Sequence, residues 1–348
     1  AYIELCIPLL LWLFYFFEEK KNTLFILTLV LCLMVREEVS LVTCFFGIYM
    51  LIKKRYVMGV STILLSLAYF FIVMFIVIPL YNGGNPHLAT STFSSLGSTY
   101  YDIIINILSH PIDTMNKIMN VPKVGNFIIL LIPLAFTSLI NMSTFLIAIP
   151  NLAITFLSDS ITHGSFILYY VSPSIPIFFY SAIVGINKIR KWRFVNINSL
   201  INTILVASIS ATIFFGATPI SIAYWNKNYS VGNFYTTNFH RSAYIEEDRD
   251  VAAKEIVKLV PDGALISAEQ HFLPLLYKKK RMVAFPDMSI DTEYVLIDRL
   301  NPKKTGGLDN TYLSFRENPE FYYQKYFKNN DWIIIKEDQG VTLFKKIN

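Results

Sequence analysis

The feature that most limits what this chain can fold into is the stretch from Val57 to Leu80, 24 residues without a single charge. A helix rises about 1.5 Å per residue, so about 20 apolar residues cross the hydrocarbon core of a bilayer. Ser165 to Ile186 and about Ser199 to Ala223 meet the same test. Tyr2 to Phe17 is shorter but reads as a further span, with Tyr15, Phe16 and Phe17 at the level of an interfacial aromatic belt. Since the chain opens on Ala1 and enters this run without the n-region of a signal peptide, it reads as truncated.

The composition agrees: 54% of residues are hydrophobic, 16% are charged, and mean hydropathy is +0.46, which excludes an ordinary soluble domain of this length. The net charge of +5 belongs to the first part, because residues 1–240 hold 13 Lys/Arg and 8 Asp/Glu whereas residues 241–348 hold 17 of each. Those basic residues cluster beside apolar runs, as in cytoplasmic loops, so nucleic acid is not the implied partner. Cys6, Cys32 and Cys44 show no Cys-x-x-Cys or Cys/His spacing and read as small core residues.

Two organisational units follow: residues 1–225, a transmembrane helical domain of about six to eight hydrophobic segments, and residues 226–348, a soluble α/β domain. Two regions of the first are interrupted. Thr23 to Val35 and Val39 to Ile52 are split by Arg36-Glu37-Glu38, and Phe127 to Ile140 and Thr144 to Leu157 are split around Asn141. Each pair reads as either a hairpin of short helices or one bent helix. With Lys53-Lys54-Arg55 and Lys188, Arg190, Lys191 and Arg193 assigned to the cytoplasm, Tyr81 to about Gly125 and everything after Tyr224 fall outside.

In the soluble part, a helix is expected from about Glu246 to Val260, ended by Pro261-Asp262-Gly263. Strands follow at Ala264 to Ala268, Met282 to Phe285 and Tyr294 to Asp298, with a helix around Phe272 to Tyr277. A helix from Asn318-Pro319 to Lys328 precedes a hairpin, Trp332 to Lys336 and Val341 to Lys345, turning at Asp338-Gln339-Gly340. No Gly-x-Gly-x-x-Gly or Walker pattern is present, and Gly306-Gly307 does not follow a strand as a phosphate loop would. Lys278 to Arg281 reads as a solvated surface run, or as a contact for anionic lipid.

Charges between apolar half-runs cost several kcal/mol unless paired or hydrated, which makes Arg36, Glu37 and Glu38 the first candidates for a site. The bland alternative is a solvated turn. Asp159 and His163, four apart, would share one helical face as an acid and a base, or are loop residues. Tyr169 and Tyr170, before Pro173 and Pro176, place hydroxyls and a kink within the next span, where a substrate or lipid headgroup could bind, or form an interfacial aromatic pair. His87, Ser98, Tyr100, Tyr101, Asp102, His110 and Asp113 carry no spacing that specifies a metal or a nucleophile.

The sequence resembles a known group in a series of ordered short matches. These are Ile7-Pro8-Leu9-Leu10, Arg36-Glu37-Glu38, Ile78-Pro79, Ser95-Leu96-Gly97-Ser98 before Tyr100, His110-Pro111, Ile132-Pro133-Leu134, Ala148-Ile149-Pro150-Asn151 and Leu157-Ser158. They continue through Val260-Pro261-Asp262-Gly263-Ala264, Ser267-Ala268, Phe285-Pro286 and Tyr294 to Asp298. The group is the prokaryotic predicted membrane protein family called domain of unknown function 2079, itself similar to membrane glycosyltransferases of the C-type fold. Glu38 stands where the family usually has Asp, and Tyr169-Tyr170 where many relatives have His-Tyr.

The resemblance implies a C-type glycosyltransferase-like polytopic helical fold with an extracytoplasmic C-terminal α/β domain in the cell membrane. It further implies an N-terminal segment before Ala1, with an acidic motif in its first external loop. The activity implied is transfer of a sugar from a polyprenyl-phosphate carrier to an extracytoplasmic acceptor. Glu37 or Glu38 would serve as the local acid, Arg36 as the phosphate partner, Asp159, His163, Tyr169 and Tyr170 as substrate contacts, and a divalent metal as a possible aid to the departing phosphate. Membrane lipid is the implied partner. A transporter or a lipid-binding assembly protein would use the same buried charges without chemistry.

Overall fold

The computed structural model describes residues 3–81, 92–160, 163, 169–226, 228–231, 234–235, 240–269, 271–279, 281–285, 292–299 and 331–347. His87, Ser165 to Leu168, Gly306-Gly307 and the helix expected up to Lys328 lie outside these residues. The chain divides into two compact units, one ending at Arg241 and one beginning at Ser242.

The first unit is helical: α1 Cys6–Glu18, α2 Asn22–Leu33, α3 Glu37–Ile52, α4 Tyr56–Tyr81, α5 Tyr100–Ser109, α6 Pro111–Ile118, α7 Val121–Leu131, α8 Met142–Leu157, α9 Ser174–Ile189, α10 Ile197–Phe215 and α11 Ile222–Trp225. A two-residue ribbon follows, β1 Ser230–Val231 with β2 Phe234–Tyr235. By length and composition α4 and α10 can each cross a membrane, and α6 with α7 and its extension to Leu134 can make a third crossing if that pair, bent by 55°, is one span.

Fewer helices reach spanning length than the apolar runs suggest, and local chemistry explains each shortfall. The run Tyr2 to Phe17 forms a 3-10 turn over Ile3–Leu5 and then the 13-residue α1, which does not continue past the turn at Lys20, φ 58°. Lys21 N–H donates to Phe16 O at 2.9 Å and Lys20 N–H to Phe17 O at 3.3 Å, the paired closure of a helix C-terminus. Lys54, φ 63°, closes α3 the same way: Arg55 N–H donates to Met50 O and Lys54 N–H to Leu51 O, both at 2.9 Å.

Between α2 and α3 the extended Arg36 separates two distinct helices, so the hairpin-or-bent-helix alternative resolves to two short helices. Among the described residues of the expected Ser165 to Ile186 span, a 3-10 turn over Tyr169–Val171 comes first and the α-helix begins at Ser174. Pro173 and Pro176 lie at the N-cap and in the first turn, where a missing N–H removes no helical bond, so they start α9 rather than kink a longer span. α10 begins at Asn196, whose Oδ1 accepts from Asn198 N–H at 2.9 Å, and ends at Gly216, eight residues before Tyr224.

The run around Asn141 breaks earlier as well: Ala135 and Phe136 both take positive φ, and a 3-10 turn spans Thr137–Ile140. Backbone groups freed inside an apolar block need internal partners. Ser208 of α10 donates to Pro133 O and Ser181 of α9 to Ser138 O, both at 2.6 Å, while Lys188 reaches Asn141 Oδ1 at 2.7 Å. In α4, Pro79 has no N–H for the carbonyl of Phe75, and a π-helical turn lies over Val73–Val77.

The core of this unit is aromatic: Phe14 stacks on Tyr180 at 4.1 Å, and Phe46 meets Phe14, Phe17 and Phe25 within 5.7 Å. Cys6 and Cys32 are buried in the same cluster. Arg55 covers the Phe17 ring and donates to its carbonyl at 2.8 Å, satisfying the end of α1.

The second unit comprises α12 Asp248–Val257 and a sheet of β3 Leu265–Ala268, β4 Arg281–Ala284, β5 Tyr294–Asp298, β6 Trp332–Asp338 and β7 Val341–Lys346. Its order is β4-β3-β5-β7-β6, with β4, β3 and β5 parallel and β7 antiparallel to both neighbours. Ala253, Ile256 and Val257 of α12 pack in one cluster with Ile266, Leu296 and Leu343. Gln339 and Gly340 take φ of 50° and 84°, the two left-handed residues that a two-residue hairpin turn requires. Where a helix was expected around Phe272 to Tyr277, there is a 3-10 turn over Leu273–Leu276 with Pro274 near its start.

Candidate functional site

Arg36 has an extended backbone and stands just before α3, so Glu37 and Glu38 occupy that helix's first turn, where the helix dipole favours negative charge. Arg36 Nε donates to Glu37 Oε1 at 3.4 Å, and its Nη1 lies 3.6 Å from Glu38 Oε1. The side chains of Arg36 and Glu37 keep 27% and 19% of their exposure; Glu38 as a residue keeps 8%. A solvated turn is therefore not what forms here, because Glu38 points into the protein.

Aromatic rings cover the guanidinium. Tyr170, in a 3-10 turn over Tyr169–Val171, lies under Arg36 at 5.6 Å, and Tyr169 Oη donates to Tyr170 Oη at 3.0 Å. His163 stacks on Tyr170 at 3.7 Å. Burial, then the Arg36 charge, pushes the His163 imidazole down to about 4, so it is neutral at pH 7. Burial, then the Glu37 charge, pushes the Tyr100 phenol at the start of α5 up from its ordinary value. The Tyr169–Val171 turn directly precedes α9.

Five of the expected partners, Glu37, Glu38, His163, Tyr169 and Tyr170, thus gather around Arg36, but Asp159 does not. Ser158–Ser160 is not helical, so Asp159 and His163 share no helical face. Asp159 Oδ1 pairs with Lys117 Nζ at 2.6 Å and accepts from Ser95 Oγ at 2.7 Å, Ser95 N–H donates to Oδ2 at 2.9 Å, and Asp159 N–H donates to Thr92 O. Burial works to raise its pKa, but Lys117 and Ser95 outweigh that and hold the carboxyl below its ordinary range. This is a clamp between connections. Close by in sequence, Lys123 donates to Phe156 O and Ser158 O at 2.7 and 2.8 Å, capping the end of α8.

An apolar cleft of about 550 Å³ runs between α1 and α2, lined by Leu5, Leu9, Trp12, Leu31, Met34 and Val35, and so reaches the residue before Arg36. Among the described residues no group of three His, Cys, Asp or Glu side chains could hold a metal ion. Glu37 and Glu38 are both turned on Arg36, so this set does not fit the divalent metal that the resemblance allowed.

With this geometry in hand, the comparisons decide the family. The profile described as Predicted membrane protein (DUF2079) matches residues 3–343. The chain belongs to this family. No curated protein and no solved structure matches it. The family description supports a membrane protein and assigns no chemistry, so the DUF2079 chain must be read from its own residues.

Sequence reading passed over two features. Tyr100 was one of several isolated polar residues; only the fold sets it against Glu37. In the second unit, Glu269 follows β3 and Asp298 ends β5, at the carboxyl ends of parallel strands. Both are buried, with Asp298 N–H donating to Glu269 Oε1 at 3.0 Å, His271 Nδ1 3.3 Å from Glu269 and Arg249 3.5 Å from Asp298. Acidic residues that close consecutive strands were the available signal. Lys279 of the basic run is tied down, donating to Val260 O and Asp262 Oδ1 at 2.6 and 2.7 Å.

Proposed function

We propose that this DUF2079 protein is a membrane glycosyltransferase that moves a sugar from a polyprenyl-phosphate carrier to an acceptor hydroxyl. The observation that carries this reading is the Arg36-Glu37-Glu38 triplet, charged and largely buried in an apolar helical block, with Tyr170 and His163 over it. Such a triplet costs several kcal/mol to hold at membrane level without a use for it.

The acceptor oxygen bonds to the anomeric carbon as the bond from that carbon to the phosphate oxygen breaks, and the leaving polyprenyl phosphate takes the electron pair. Glu37, the more exposed carboxylate, accepts the acceptor's proton. Arg36 has five donors, and two carboxylates at 3.4 and 3.6 Å leave it capacity for a phosphate oxygen. The cleft ending at Val35 suits the first isoprene units of the carrier. The basic turns at Lys53-Lys54-Arg55 and Lys188 to Arg193 belong in the cytoplasm on this reading, and the second unit outside, with the acceptor.

Glu37→Gln in the full chain is expected to lower glycolipid turnover by about 100-fold or more, the range of a lost general base, with lipid affinity little changed. Wild-type turnover in that variant removes Glu37 from the mechanism. A second reading, a transporter or lipid-binding assembly protein, is favoured by one observation, the 55° break between α6 and α7.

A further inference from the structure

Lys20 and Lys54 take the left-handed conformation just past α1 and α3, with φ of 58° and 63°, where any side chain but that of glycine or asparagine stands at a steric cost. The preference of basic loops for the cytoplasm counts charges and is indifferent to backbone conformation. A glycine at each of these positions, with the lysine one residue away, would meet it equally well. Both turns nevertheless carry lysine there, and each has a second lysine beside it, Lys21 and Lys53.

The two turns meet at one oxygen. Phe17 O accepts from Lys20 N–H at 3.3 Å and from Arg55 Nη1 at 2.8 Å, so the residue after Lys54 closes on the same carbonyl as the backbone of Lys20. Three of the five cations lie over rings: Lys21 over Tyr15 at 5.2 Å, Lys53 over Tyr49 at 5.4 Å and Arg55 over Phe17 at 4.3 Å. Lys20 and Lys54 are exposed, and among the described residues neither ammonium has an ion pair or hydrogen bond. Against the five basic residues stand two acidic ones, Glu18 and Glu19, and Glu18 is turned to α9, where its Oε1 accepts from Tyr180 Oη at 2.5 Å.

We infer that these joined turns hold the phosphate of an anionic phospholipid, with Lys20 and Lys54 as its two ligands. Ammonium groups give a phosphate charge-assisted hydrogen bonds, and a basic cluster at the end of a membrane helix block is where an anionic headgroup lies. Tyr15, about half exposed beside Lys21, is the residue type that sits at headgroup level. Arg55 and the rings fix the turns, and the bound phosphate offsets the steric cost at the two left-handed lysines. This site lies at the opposite end of α3 from Arg36 and requires no sugar chemistry.

With the full chain in phosphatidylcholine nanodiscs, titrated phosphatidylglycerol is expected to raise the melting temperature of wild type. Lys20→Gly combined with Lys54→Gly should melt higher than wild type in phosphatidylcholine alone, because glycine removes the steric cost. The same pair should bind phosphatidylglycerol about tenfold or more weakly, as the loss of two surface lysines implies. A protein that gains stability while losing the lipid is not misfolded. Lys20→Asn with Lys54→Asn, which also suits the left-handed conformation, should lose the lipid equally. Lys21→Gln with Lys53→Gln removes the same charge from the ring-bound lysines and should keep most of the affinity. An equal loss in that pair makes the turns a diffuse positive surface and overturns the site. So does a wild type indifferent to phosphatidylglycerol, or a melting temperature raised in neither the glycine nor the asparagine pair. Inorganic phosphate at millimolar concentration that stabilises wild type as well as the lipid does would assign the turns to a soluble anion and overturn the phospholipid.

Discussion

His163 is held in a state that the surrounding residues choose for it. Its imidazole pKa falls from an ordinary 6.5 to about 4, so between those values the unfolded chain binds a proton that the folded chain does not. Stability from this residue is complete above about pH 6.5, declines as pH falls toward 4 and is flat below. Thermal melting of wild type is therefore expected to drop between pH 7 and pH 5, and His163→Gln to lack that part of the drop; parallel profiles would contradict the assignment. At this scale the sequence was informative where charge interrupts hydrophobicity, as at Arg36-Glu37-Glu38. Spacing alone left Asp159 open between a helical face and a loop, because four residues share a face only where a helix exists; the loop forms, and its carboxylate meets Ser95 and Lys117 from distant segments.

Among the elements, α3 and α4 are joined most closely, and glycine is the reason. A Cβ built on Gly47 would lie 2.9 Å from Gly59 O, and one on Gly59 would lie 2.9 Å from Gly47 O, so the two backbones face each other without side chains between them. Thr43 and Ser66 share a hydrogen bond of 2.8 Å in the same interface. Gly47→Val is expected to destabilise the helical unit by about 1–3 kcal/mol, the usual cost of overpacking, measured by urea or thermal unfolding in detergent. An unchanged midpoint would contradict the close approach. Because α3 carries the Glu37-Glu38 turn, the same variant should weaken lipid binding.

Helix positions were legible from apolar runs, but their ends were not. Lys20 and Lys54 close helices in a left-handed conformation that glycine usually supplies, so nothing in their identity announced a stop. The strands of the second unit were easier: Tyr294–Asp298 is as expected, and the other strands begin or end within two residues of the reading, because short β-branched runs bounded by Gly, Pro and Asp leave little choice.

For the whole molecule, the consequential property is the division into an apolar helical unit and a charged α/β unit. The distribution of Lys and Arg leads us to place the second unit outside the cell. A cysteine introduced at Lys336, on an exposed strand, should react with a membrane-impermeant maleimide in intact cells, and one at Arg193 only after lysis; the reverse pattern would invert the topology. The breaks at Lys20, Arg36 and Ala135 show why fewer of the described helices reach spanning length than there are apolar runs, since an apolar run stays apolar whether or not its backbone remains helical.

The central claim is that the charged triplet before and within the first turn of α3 holds the polar head of a lipid-linked sugar. A density map of the full chain in nanodiscs with a hexosyl polyprenyl phosphate tests it most directly. The account predicts phosphate density beside Arg36, sugar density next to Glu37, and chain density in the cleft lined by Trp12 and Val35. An empty triplet, with the lipid elsewhere or a small solute enclosed at the bend between α6 and α7, would contradict it.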